Sequence, residues 1–318
     1  MFEDLLVPLD GSSLAECVLP HAVALTRMFG GRVTLLRVLE TLRPAERGRY
    51  VDPLDWHIRK AEATAYLDGV LSRLRALEIE ARTALVEGQP AEQIIDYARS
   101  EKVSLILLAS HGRSGLSGWN ISSVVQKTIL RAYVPTMIVR AYHTTPPDLD
   151  GLRYGNVLVP LDGSQRAECV LPLASVLTRS HASQLILAHV VCKPEVPRRS
   201  PLAKEEATLV DQITECNRRE AARYFDQLRS RLSGSIETRL IVDRDVTAAL
   251  HEVIEREHVD LVVLSAHGYS GGSRWPYGSV ALNLIAYGVT PLLIVQDLRP
   301  NQVQKTEAEI ALTESKGH

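Results

Sequence analysis

The chain contains its own copy. Phe2 to Arg27 and Gly155 to Arg179 align almost residue for residue: Leu6-Val-Pro-Leu-Asp-Gly-Ser12 returns as Leu158-Val-Pro-Leu-Asp-Gly-Ser164, and Ala15-Glu-Cys-Val-Leu-Pro20 as Ala167-Glu-Cys-Val-Leu-Pro172. The offset is 152 residues there and 156 at His111/His267 and Pro135/Pro291, so the second copy has gained a net four residues in between. A period of this length is a whole domain, far longer than the unit of a solenoid. Whatever one half folds into, the other must fold into as well, and 318 residues divide into two domains of ordinary size. The expected domains are 1–141 and 154–298. A linker at 142–153 contains the proline-rich, polar His143-Thr-Thr-Pro-Pro-Asp-Leu-Asp-Gly151, and a polar tail, 299–318, reads as disordered or as a loosely attached helix.

Within each copy, short apolar runs alternate with helical patterns. In the first copy the expected strands are Leu5–Leu9, Arg32–Leu39, Ile79–Val86, Val103–Ala109 and Pro135–Val139. Helices are expected from the Asp10-Gly-Ser-Ser13 turn to about Phe29, from about Pro53 to Leu77, from Pro90 to about Ser100, and from about Ser122 to Ala132. The second copy repeats the strands near 156–161, 184–191, 235–242, 260–265 and 291–295. Near-continuous Val/Ile/Leu strands separated by helices predict an α/β fold: a parallel sheet covered on both faces, doubly wound by right-handed crossovers. Such sheets bind ligands beyond the carboxyl ends of their strands, where the strand order reverses.

Composition narrows the function. Lys and Arg number 36 against 38 Asp and Glu, a net charge of −2, which points to no nucleic-acid partner and no acidic membrane surface. No apolar run approaches the ~20 residues that span a bilayer, and the acidic start Met1-Phe-Glu-Asp enters a strand at once, so a cytoplasmic location is expected. The four cysteines form no C-x-x-C pair, and Cys17 and Cys169, at matching places, read as small buried hydrophobes.

The chemistry gathers after the fourth strand of each copy. In the second, Val259-Asp-Leu-Val-Val-Leu264 empties into Ser265-Ala-His-Gly268, nine residues follow, and Gly278-Ser279 open a helix. Small residues there leave backbone N–H groups free at the positive end of a helix dipole, which suits a phosphate. The first copy reads Ala109-Ser-His-Gly112 and Ser122-Ser123, with serine where Gly278 stands.

These motifs, with the Val-Pro-x-x-Ile-Val type of ending, resemble the universal stress protein family in its tandem form. The resemblance implies a five-stranded parallel sheet of order 3-2-1-4-5 in each copy, dimerisation through the last strand, and pairing of the two copies in the same manner. Family members that bind ATP resemble one another in a G-x2-G-x9-G-[S/T] pattern. The second copy matches its later part, with Ser265 in place of the first glycine; the first copy keeps one glycine of three. The resemblance therefore implies a nucleotide site at Pro160, Asp162, Val190, Ser265, His267, Gly268, Gly278, Ser279 and Val280. A weaker counterpart would lie at Pro8, Asp10, Val38, Ala109, His111, Gly112, Ser122, Ser123 and Val124.

Several roles stay open at this level. Ser265 and Ala109 fit if the family's glycine is there for room, and cost about 1–2 kcal/mol if it is there for positive φ. Ser122 either caps its helix in competition with a ligand or donates to a phosphate. Asp10 and Asp162 are turn caps, ligand contacts or both. Arg113 and Lys127 in one copy and Arg274 in the other are candidate counter-charges; His111 and His267 read as loop-orienting groups without a triad. Trp56, His57 and Trp275-Pro-Tyr277 read as packing or a lid. The reading is a stress-response protein that binds adenine nucleotide, ATP with or without Mg²⁺, mainly in its second domain. No catalytic residue and no protein metal ligand is assigned, and at most slow hydrolysis is expected, because no G-x-x-x-x-G-K-[S/T] loop is present. The alternative is a scaffold for protein interaction or dimerisation whose crevices have degenerated.

Overall fold

The structure, a computed structural model, describes residues 1–40, 53–113, 121–141, 148–194, 204–269 and 276–297. Arg274, Trp275, the arginine-bearing loop after the second strand and the tail lie outside the described residues. The chain divides into two compact units, one of Met1–Arg153 with Ile285–Pro291 and the other of Tyr154–Leu284 with Leu292 onward, so the main boundary falls between Arg153 and Tyr154.

In the first unit, β1 (Asp4–Pro8), β2 (Arg32–Leu39), β3 (Ala81–Glu87), β4 (Leu105–Ala109) and β5 (Thr136–Val139) form a parallel sheet ordered β3-β2-β1-β4-β5. The helices are α1 (Leu19–Phe29), α2 (Pro53–Arg75), α3 (Pro90–Ser100) and α4 (Ser123–Ala132). The second unit repeats the order as β8-β7-β6-β9-β10, from β6 (Asn156–Pro160), β7 (Gln184–Cys192), β8 (Ile236–Asp243), β9 (Leu261–Ser265) and β10 (Leu292–Val295). Its helices are α5 (Gln165–Glu168), α6 (Leu171–His181), α7 (Lys204–Arg231), α8 (Val246–Arg256) and α9 (Ser279–Tyr287). The expected α/β fold and strand order are therefore present in both copies.

Burial follows position in the sheet. Every residue of β4 and of β9 is buried, as a strand covered on both faces requires, whereas β3 and β8 are only part-buried along their length. The first helix of each copy departs from the single element expected. A 3-10 turn at Ala15–Val18 precedes α1, and the short α5 precedes α6. Pro20 and Pro172 explain the break: each occupies the first turn of the longer helix, supplies no N–H and crowds the carbonyl four residues back. The cysteines at matching places differ in burial. Cys17 is buried and its pKa is pushed up to about 12 by that burial, but Cys169 is exposed, contrary to the expectation of a small buried hydrophobe.

Glu16 pairs with Arg73 at 2.6 Å, and Glu168 with Arg231 at 3.2 Å. These equivalent ion pairs tie the long helices α2 and α7 to the first-helix region and fix their correspondence, Tyr66 with Tyr224 and Arg59 with Asn217. Among the described residues no helix is long and apolar enough to cross a membrane.

Candidate functional site

The first and fourth strands of each copy are hydrogen-bonded neighbours, with Leu5 and Leu6 opposite Leu105 and Ile106, and Val157 and Leu158 opposite Leu261 and Val262. That pairing brings the Asp-Gly-Ser turn against the His-Gly loop. The aspartate then latches the two together. Asp10 Oδ1 accepts from Ser12 N at 2.9 Å and Ser12 Oγ at 2.6 Å, and Oδ2 accepts from the Arg113 N–H. Asp162 repeats the pattern with Ser164 N at 3.0 Å and the Tyr269 N–H. Burial alone would raise the Asp162 pKa, but the hydrogen bonds from Ser164 and Tyr269 outweigh it and hold the carboxyl below its usual range.

The latch explains the glycine that both copies keep. A Cβ on Gly112 or Gly268 would overlap the facing carboxylate oxygen, and neither glycine has a positive φ. The requirement is room. Ser265 and Ala109 end β9 and β4, and neither is among the residues with positive φ, so they carry no left-handed strain.

In the second unit all nine candidate residues line one cavity of about 880 Å³. Pro160 and Asp162 come from the end of β6, Val190 from β7, Ser265, His267 and Gly268 from the end of β9 and its loop, and Gly278, Ser279 and Val280 from the start of α9. Gly278 donates its N–H to Ala266 O at 2.7 Å, and a Cβ added there would meet only Ala266 O at 3.6 Å and His267 Cα at 3.8 Å. The glycine is thus not needed by the unliganded fold. It leaves the approach to the helix start open.

The first unit places Pro8, Asp10, Val38, Ala109, His111, Gly112, Ser122, Ser123 and Val124 at the corresponding positions. Its helix start differs. Ser122 donates its N–H to Ser110 O at 2.8 Å, as Gly278 does to Ala266, but its Oγ also accepts from Val125 N at 3.3 Å. The serine therefore caps α4, occupying an N–H that a phosphate would use. Lys127 is exposed on α4.

The two histidines are buried and differently held. His111 Nδ1 lies 3.1 Å from Ser110 Oγ, whereas His267 Nδ1 lies 2.7 Å from Asp297 Oδ1. Asp297 has a side chain only 4% exposed and also meets Arg166 at 3.5 Å, so it anchors the second His-Gly loop to the end of β10. Tyr277 is buried, in keeping with packing, and Arg59 lies 5.8 Å over the Trp56 ring.

Several of these groups carry no local signal in the sequence. Asp297 was the last residue before the polar tail, with nothing local to mark it. His189 lines the cavity with Nδ1 buried and lacking a hydrogen-bond partner; burial lowers its pKa, while the Leu161 carbonyl and the Asp162 charge act in the opposite direction. Its counterpart in the first copy is Arg37. Comparing the copies column by column would have exposed that exchange.

A family model described as the universal stress protein family matches residues 1–140 and again 153–296. The chain is 26% identical over 144 residues to a universal stress protein of Methanocaldococcus jannaschii, covering 44% of this chain and 83% of that one. It is 27% identical over 149 residues to the universal stress protein YxiE of Bacillus subtilis, covering 44% of this chain and all, 100%, of that one. Among solved structures, a universal stress protein from Archaeoglobus fulgidus superposes with a TM-score of 0.65 at 18% identity, over 92% of this chain and 98% of that one. A Pseudomonas aeruginosa protein described as functionally unknown gives 0.65 at 15% identity, over 99% and 98%. At those identities the structural likeness speaks for the fold alone. With the family model matched once in each half, the chain belongs to the universal stress protein family and carries two copies of its domain.

Proposed function

We propose that the second domain binds an adenine nucleotide, ATP in the first instance, and that the protein acts in the cytoplasm as a ligand-linked stress-response module. The observation that carries this reading is the convergence of Asp162, Val190, Gly268 and the uncapped approach at Gly278 on a single cavity of about 880 Å³, within the range usual for small-molecule sites. The triphosphate would lie at the start of α9, where Gly278 leaves the approach open and Ser279 and Val280 present backbone N–H groups and a helix dipole. The nucleoside would lie toward Asp162, Val190 and His189, which line the same cavity. Mg²⁺ would arrive with the phosphates. Bound ligand would add about 2.7 kcal/mol to the stability of this domain at a hundred-fold excess over Kd. The proposal is one of binding, with at most slow hydrolysis.

The test is calorimetric titration of the full chain with ATP, together with nucleotide analysis of the supernatant after denaturing freshly purified protein. One site lost in Gly278→Val is the expected result. No heat and no thermal shift at millimolar ATP would exclude it. For the first domain the interaction-scaffold reading has a specific observation in its favour, since Ser122 caps the helix that would otherwise receive the phosphate. Homodimerisation belongs to the same set of proposals and is checked by light scattering.

A further inference from the structure

Three positions that line the second domain's cavity are neutral or weakly basic there and arginine in the first. His189 corresponds to Arg37 through the equivalent strands β7 and β2, and Tyr269 corresponds to Arg113 through the His-Gly loops. Asn217 corresponds to Arg59 in the register that the Glu16–Arg73 and Glu168–Arg231 pairs fix. Each exchange adds a full positive charge, and Arg113 and Arg59 lie near enough to Arg37 for their charges to act on it.

Arg37 takes up space that the second domain leaves open. The residue is 9% exposed, and its Nη1 donates to Leu9 O at 3.3 Å. A Cβ placed on Gly11 would meet Arg37 Nη1 at 3.0 Å and Cζ at 3.4 Å, whereas one placed on Gly163 meets nothing within 4 Å. The guanidinium therefore lies over the Asp10-Gly11 turn, where the second domain has cavity. A nucleoside seated as proposed for that domain would collide with it.

The guanidinium is also poorly satisfied. Arg37 Nε is buried without a hydrogen-bond partner, and no carboxylate among the described residues forms an ion pair with it. Asp10, beside it, already accepts from Ser12 and from the Arg113 backbone. Burial first, then the Arg113 charge, holds the Arg37 pKa below its ordinary value; Asp10 and Tyr66 oppose this and Arg59 adds to it. A buried cation with an unmet donor and like-charged neighbours is costly unless an anion joins it. Arginine suits phosphate, whose oxygens match the guanidinium fork.

We propose that the crevice of the first domain binds a nucleoside-free polyanion of the pyrophosphate or tripolyphosphate type, held by Arg37, Arg59 and Arg113. Side chains would hold it, in contrast to the second domain's cradle of backbone N–H groups, because Ser122 already caps the start of α4. The proposal stands whether or not the second domain takes ATP.

The experiment is titration of full-length Gly278→Val protein, whose second cradle is blocked, with tripolyphosphate at 50 and 200 mM salt. One site is expected, weakened as salt rises, with adenosine failing to compete. Arg37→His, which copies the second domain, should lower the affinity at least ten-fold in protein whose circular dichroism is unchanged. If that variant does not fold, Arg59→Asn and Arg113→Tyr take its place, each expected to lower affinity three- to ten-fold and to flatten the salt dependence. Absence of tripolyphosphate binding overturns the proposal, as does displacement by adenosine or an affinity that none of the folded arginine variants changes. Loss of ATP binding in the wild-type chain with tripolyphosphate binding intact would instead count against the nucleotide reading alone.

Discussion

Gly30 and Ala182 end the same helix in two copies of one sequence, and both sit in the left-handed region, at φ 64° and φ 53°. Glycine adopts that conformation without penalty; alanine adopts it because the fold around it leaves no other course. Ser122 and Gly278 make the opposite comparison. There the backbone bond to the preceding loop is the same in both domains, and the side chain alone decides whether the helix start is capped or open. Duplication has thus preserved the chain path and changed what individual positions do with it. A position can strain one copy and not the other, or close one crevice and leave its twin accessible.

The largest expected difference concerns His21, which is Leu173 in the second copy. Burial lowers the His21 pKa from 6.5 to about 4. The folded state thus binds its proton less readily than the unfolded one, so the associated stability is whole above about pH 6.5 and is lost as pH falls toward 4. The loss approaches about 3 kcal/mol. Hydrogen exchange of α1 at pH 7 and pH 5 should show the first domain loosening, and His21→Leu should abolish most of that difference; equal pH dependence in the variant would refute the assignment.

Next in size is Gly278→Val. A Cβ at this position meets nothing closer than 3.6 Å, so the melting temperature without ligand should barely move. Nucleotide affinity should drop at least a hundred-fold, about 2.7 kcal/mol. Equal affinities for variant and wild type would break the proposed difference between the domains.

Asp162→Ala removes the latch between turn and loop. Charge-assisted bonds to backbone N–H groups are the stronger kind, and the site is partly exposed, so a cost of about 1–2 kcal/mol is expected. Asp10→Ala should cost a similar amount, since the latch is common to both copies. A large disparity in denaturant unfolding would show that the two latches are not equivalent.

Ala182→Gly should stabilise the second domain by about 1 kcal/mol by relieving the left-handed alanine. The mirror change, Gly30→Ala, should cost the first domain about the same, and chemical denaturation measures both. The smallest effect belongs to Ser122→Gly. Replacing an N-cap serine by glycine costs only a few tenths of a kcal/mol. Because Arg37 still lies over the Asp10-Gly11 turn, the change by itself should not create a second ATP site of affinity comparable to the first.

Much of this architecture was readable from residues. Val/Ile/Leu strands spaced by amphipathic helices specify a parallel sheet, and the two motif-bearing strand ends had to meet if strands one and four were neighbours. Boundaries shifted by a residue or two, as frayed ends do. The split first helix was present in the sequence as Pro20 and Pro172, but it showed only once those residues were known to lie in a first turn. Local pattern misled for Cys169, whose exposure depends on how the preceding turn is wound.

By itself, then, the sequence determined that this protein has two domains of one kind, what kind they are, and which loops carry chemistry. Periodicity and turn residues act over a few neighbours, and a duplicated text repeats them faithfully. Tertiary structure alone decided that Asp10 and Asp162 are latches and that Gly268 is glycine because a carboxylate fills the space beside it. It also decided that Asp297 buttresses His267 across 30 residues, and that Arg37 lies where the second domain has a cavity. Those are meetings between side chains on different strands and loops. Contact of that kind is set by packing in three dimensions, which no local pattern encodes.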